Sequence, residues 1–72
     1  MEIRERFSEE FVNLLEENNI EMTIDEYDYV EITDYVFLLE DGVFIYVPIS
    51  SKLDTLEVEN KLTKKLMSFN LI

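Results

Sequence analysis

Three observations predict an α+β fold with the element order αβββα. Apolar residues recur at helical spacing near both ends of the chain, and between them they alternate or cluster at strand spacing. An Asp-Gly pair also separates two apolar runs. Seventy-two residues can close one core, so residues 1–72 read as a single small domain. Its simplest packing is a three-stranded antiparallel meander with both flanking helices on one face.

Ile3, Phe7, Phe11, Leu14 and Leu15 share one stripe at 3.6 residues per turn, which predicts a helix from about Glu2 to Glu17. Asn18-Asn19 is its stop, because Asn tolerates the left-handed conformation that ends helices. Ile20, Met22 and Ile24 then alternate with polar residues, predicting a strand over Ile20 to Asp25. From Glu26 to Asp34, Tyr27, Tyr29 and the β-branched residues favour strand while the acids favour a turn. Tyr35 to Glu40 and Val43 to Pro48 flank Asp41-Gly42 and predict a hairpin. A two-residue turn there would oppose Leu39 with Phe44, Leu38 with Ile45, Phe37 with Tyr46 and Val36 with Val47. One face would then carry Val36, Leu38, Ile45 and Val47 under the helices. The other would carry Tyr35, Phe37, Leu39, Phe44 and Tyr46.

A second helix starts after Pro48. Ser51 with Asp54 fits a capping box, and Asp54 with Glu57 is a second candidate. Val58, Leu62, Leu66 and Phe69 form its apolar stripe. Acids precede Lys61, Lys64 and Lys65 as the helix dipole favours, and Glu57 and Lys61 are spaced for an ion pair.

The charge is −11, from 17 acids and 6 bases, which argues against direct nucleic-acid binding through phosphates. There is no Cys and no His, so disulfides, thiolate zinc sites and the usual imidazole ligand are excluded. The serines have no His to activate them, and the single Gly lies in the hairpin turn, where it builds no phosphate loop. The acids from Asp25 to Asp34 lack the Gly of a calcium loop. The expectation is therefore no enzyme, no metal and no cofactor. The first helix is acidic, the wrong sign for anionic lipid, and no run has transmembrane length, so no membrane partner is expected. The charged start Met1 to Arg6 does not read as a signal peptide, which leaves a cytoplasmic location as the default.

Two features remain. Tyr35, Phe37, Phe44 and Tyr46 form an aromatic face that is either an interface, including one between two copies, or is covered within the chain. The charge is also uneven. No Lys or Arg stands between Phe7 and Ser51, a stretch with twelve acids, and residues 1–50 hold fourteen acids and two bases. Side chains two apart on a strand lie about 6.6 Å from one another, close to the spacing we estimate for successive backbone phosphates. Glu9, Glu16, Asp25, Glu26, Asp28, Glu31 and Asp34, interleaved with tyrosines, are thus candidates for meeting the arginines and lysines of a nucleic-acid channel. Equally, they are candidates for a merely solvated surface.

Size, charge and element order over most of the chain loosely resemble small acidic phage-encoded inhibitors, including anti-CRISPR proteins that occupy the DNA-binding cleft of an RNA-guided nuclease. The resemblance implies a DNA-mimicking inhibitor acting in the host cytoplasm on a protein with a basic or nucleic-acid-binding surface. It carries no residue over. The alternative expectation is a homo-oligomeric structural or scaffolding module, a possible homodimer through the aromatic face.

Overall fold

A computed structural model describes residues 3–27 and 30–72. The order is α1 (Ile3–Arg6), α2 (Glu9–Glu17), β1 (Glu21–Glu26), β2 (Ile32–Leu38), β3 (Phe44–Ser50) and α3 (Thr55–Ser68). The fold is α+β, and its antiparallel sheet has the order β1-β2-β3.

The first predicted helix is split in two, and its expected start at Glu2 lies outside the described residues. Ser8 causes the break. Its hydroxyl accepts the Phe11 N–H at 3.2 Å, and its own N–H donates to Glu59 Oε1 of α3 at 2.5 Å. The hydroxyl bond makes Ser8 the N-cap of α2, with extended backbone at φ −65° and ψ 154°. Helical spacing on either side conceals the interruption, since Ile3 and Phe7 still reach the same core as Phe11 and Leu15.

Both long helices end in the same way. Asn19 at φ 56° lets the Ile20 N–H reach the Leu15 C=O at 2.9 Å, and Asn70 at φ 59° lets Leu71 reach Leu66 at 3.0 Å. In each case a left-handed Asn closes the two bonds that satisfy the last carbonyls. At the start of α3, Asp54 rather than Ser51 is the cap. Its carboxylate accepts the Glu57 N–H at 2.9 Å while Glu57 Oε1 accepts the Asp54 N–H at 3.5 Å. The expected Glu57–Lys61 ion pair is not among those formed, because that carboxylate turns back to the cap.

The hairpin departs from the two-residue expectation by one residue. Gly42 N–H bonds the Leu39 C=O at 3.0 Å and Leu39 N–H bonds the Val43 C=O at 2.9 Å, with Gly42 at φ 87°. Glu40, Asp41 and Gly42 therefore form a three-residue loop, a turn closed by a left-handed glycine. The resulting register pairs Leu38 with Phe44, Phe37 with Ile45, Val36 with Tyr46 and Tyr35 with Val47. Because strand side chains alternate, a slip of one residue exchanges the faces of one strand relative to the other.

The helix-covered face consequently holds Met22, Phe37 and Ile45 in one row and Ile24, Tyr35 and Val47 in the next. Phe7, Phe11, Val12 and Leu15 from the N-terminal helices and Val58, Leu62 and Leu66 from α3 close over it. Phe37 and Leu62 are completely buried. Phe69, expected in the helical stripe, is instead about half exposed at the cap, where Lys65 Nζ lies 5.6 Å from its ring centre.

Candidate functional site

Both long helices lie on one side of the sheet, and among the described residues no helix lies on the other. The rows on this outer face read Glu21-Leu38-Phe44, Thr23-Val36-Tyr46 and Asp25-Asp34-Pro48. Val36 is buried yet lies outside the core cluster, in the middle of the outer face between Thr23 and Tyr46. Phe44 is 57% exposed and Tyr46 62%. Glu21 and Asp25 on β1 and Asp34 on β2 are the acids of this surface, and the three rows contain no Lys or Arg. Asp25 and Asp34 face each other across the strands, where like charges repel, and Asp34 Oδ2 accepts the Tyr27 hydroxyl at 3.1 Å.

The aromatic face expected from the sequence is therefore divided. Tyr35 and Phe37 point into the core, and only Phe44 and Tyr46 remain outside, joined there by Val36 and Leu38. The one-residue difference in the loop is the cause. Tyr35 is packed edge-on against Phe7, with ring centres 6.1 Å apart. Burial pushes its hydroxyl pKa up from 10.0, opposed by the Arg6 guanidinium that hydrogen-bonds it, while nearby Glu26 adds to the rise.

The acids are also regrouped. Twelve acids without an intervening base in sequence do not stay unopposed in space, because bases from both flanks fold back onto them. Arg4 pairs with Glu16 and lies beside Glu9, interrupting the acidic face of α2. Arg6 Nη1 pairs with Glu26 Oε1 at 2.5 Å, and Lys52 Nζ with Glu31 Oε2 at 3.0 Å. All three pairs are solvent-exposed and hold little energy each. Asp28 lies outside the described residues. Of the six candidate acids among the described residues, Asp25 and Asp34 are the two that the fold sets side by side on the uncovered face.

Glu21 and Glu40 were not among the sequence-level candidates. Together with Glu16 they line a groove of about 470 Å³ at the hairpin end of the sheet, floored by Ile20, Leu38 and Leu39. Two registers build this cluster: the β1–β2 pairing sets Leu38 opposite Glu21, and the three-residue loop sets Phe44 opposite Leu38. Among the described residues no group of three potential metal ligands comes together, and no helix is long and apolar enough to cross a membrane. Comparison with protein families, with curated proteins and with solved structures gives no match.

Proposed function

We propose that this chain is a small interaction protein of the inhibitor type, which lays its uncovered sheet face on a basic, nucleic-acid-binding site of a target protein. The observation that carries this reading is the makeup of the face: Val36, Leu38, Phe44 and Tyr46 exposed or outward, Glu21, Asp25 and Asp34 beside them, and no base in the same rows. A nucleic-acid channel offers arginines and lysines together with flat stacking surfaces. Carboxylates take the guanidinium fork in two parallel bonds, and Tyr46 and Phe44 give the remaining planar groups a partner. Asp25 and Asp34, about 5 Å apart at their Cα atoms, present two negative charges at close spacing. The inhibitor works by occupancy, so the proposal includes no catalysed step and no cofactor. Its place of action is the cytoplasm of the cell that holds the target.

The test is capture of proteins from nuclease-treated lysate on the immobilised chain, with and without excess duplex DNA. Support consists of a nucleic-acid-binding protein that DNA displaces, that salt releases, and that the double variant Glu21→Lys, Asp25→Lys fails to retain while keeping its circular dichroism. Retention by that variant, or indifference to both DNA and salt, overturns the proposal.

The exposed pair Phe44 and Tyr46 favours one further reading, a homodimer through the same face. Salt separates the two. Two chains of charge −11 repel, so added salt strengthens self-association, whereas it weakens docking on a basic partner. Light scattering across protein and salt concentrations reads the difference, and a monomer at all of them removes the dimer.

A further inference from the structure

β3 is an edge strand, and among the described residues one of its sides has no strand beside it. The phase of the ladder fixes which backbone groups lie on that side. Leu39 N–H bonds the Val43 C=O at 2.9 Å and Ser51 N–H bonds the Glu31 C=O at 3.1 Å, so the odd-numbered residues of β3 turn their backbone groups toward β2. Phe44, Tyr46, Pro48 and Ser50 therefore turn theirs outward. Pro48 sits where the missing N–H costs the ladder nothing, as edge prolines do. Phe44 and Tyr46 each present an N–H and a C=O to an incoming strand, and Pro48 presents a C=O.

A groove of about 570 Å³ runs along this edge between the strand and α3. Tyr46, Pro48 and Ile49 line one wall, and Lys61, Lys64 and Lys65 the other. These three lysines are half of the chain's six bases, all three are exposed, and none pairs with a carboxylate among the described residues. The capping box has taken the Glu57 carboxylate that could have neutralised Lys61. In a protein of charge −11 this is a local reversal of sign. The spacing is also suited to a strand: Lys61 and Lys65 are separated by about 6 Å of helix rise, close to the roughly 6.6 Å between alternate side chains of an extended peptide.

We infer that the β3 edge accepts an extended acidic segment of a partner protein as a fourth strand. Its backbone pairs with Phe44 and Tyr46. Carboxylates at alternate positions meet Lys61 and Lys65 on the helix side, and apolar residues at the positions between lie beside the Phe44 and Tyr46 rings on the other. Main-chain pairing supplies affinity and the alternation supplies selectivity. A second copy of the chain is a poorer occupant. Two β3 edges would bring their lysines and prolines together, and a β1 edge has Ile3 and Arg6 of α1 beside it.

The probe is a short peptide alternating glutamate and valine, titrated into the ¹⁵N-labelled full chain. Amide shifts at Phe44, Tyr46 and the Lys61–Lys65 turn are expected, with affinity falling about two- to fivefold for each of Lys61→Gln and Lys65→Gln. A peptide N-methylated at the amides that face β3 binds no longer, and a lysine–valine peptide does not bind. The Glu21→Lys, Asp25→Lys variant binds the acidic peptide as the parent does, which keeps this result separate from the fate of the outer face. Shifts confined to other residues, equal binding of the lysine peptide or the N-methylated peptide, unchanged affinity in both lysine variants, or self-association in place of peptide binding would each overturn the inference.

Discussion

Gly42 decides which side of the sheet displays Phe44 and Tyr46, and its replacement tests that control. The residue adopts φ 87°, and a Cβ built on it meets nothing within 4 Å. Space is therefore no obstacle, and only backbone handedness opposes a side chain. An L-residue in the left-handed region costs about 1–2 kcal/mol. Removing glycine's freedom from the unfolded chain returns about 0.4–1 kcal/mol. Gly42→Ala made with L-alanine should thus lose about 1 kcal/mol, and the same substitution made with D-alanine should gain up to about 1 kcal/mol, because a positive φ suits that enantiomer. For a domain of this size each kcal/mol moves the melting temperature by about 4–8 °C. The two epimeric proteins, identical in composition, should therefore melt about 4–16 °C apart with the glycine protein between them. Thermal unfolding followed by far-ultraviolet circular dichroism on protein assembled from synthetic segments measures this. Equal melting temperatures for the two, or equal losses in both, would refute the three-residue loop closed by a left-handed Gly42.

Phe37→Ala should cost about 3–5 kcal/mol, a large part of the roughly 4–11 kcal/mol available to a 72-residue domain. Tyr46→Ser should stay within about 0.5 kcal/mol, and urea unfolding of the pair checks the assignment of inner and outer faces. Asp54→Ala removes the cap of α3 and should lower stability by about 1 kcal/mol, with amide exchange in the first turn of α3 rising before exchange elsewhere. Tyr35 holds its proton more tightly folded than unfolded, so its contribution is complete below the unfolded value near 10 and is lost as pH climbs through the raised folded one. Urea unfolding at increasing alkaline pH should show that loss in the parent and a smaller one in Tyr35→Phe.

The elements that were legible in the sequence are those governed by local chemistry. The stripes Phe11 to Leu15 and Val58 to Leu66, the alternation around Met22, and the Asp54–Glu57 cap each depend on residues a few positions apart, and the structure keeps them. Two features changed, one supported by a group distant in sequence and one decided between two local turns. The break at Ser8 is supported from outside by a carboxylate 51 residues away, which no helical period reports. The hairpin register turned on whether Glu40 belongs to the strand or to the loop, a choice in which an Asp-Gly pair is compatible with both outcomes. That single position relocated Tyr35 and Phe37 to the core and brought Val36 and Leu38 to the outer face. The acidic run misled in a similar way, because Arg4, Arg6 and Lys52 lie beyond its ends in sequence and beside it in space.

β2 is buried along its middle, Tyr35 and Phe37 beneath the helices and Val36 between its neighbours Thr23 and Tyr46 on the outer face. A strand of this kind is sticky whenever the fold is open: during synthesis, after heating, or in a destabilised variant, consecutive apolar residues of high β-propensity would seek the same segment on another chain. Asp34 breaks the run at one end and Glu40-Asp41 at the other, and the whole chain carries −11 to hold its neighbours apart. The excess of acid thus protects the unfolded polypeptide from amyloid-like stacking whether or not a partner ever meets the folded one. Acidification into the carboxylate range, which removes that repulsion and leaves β2 as apolar as before, is the condition under which this protein should clump rather than merely unfold.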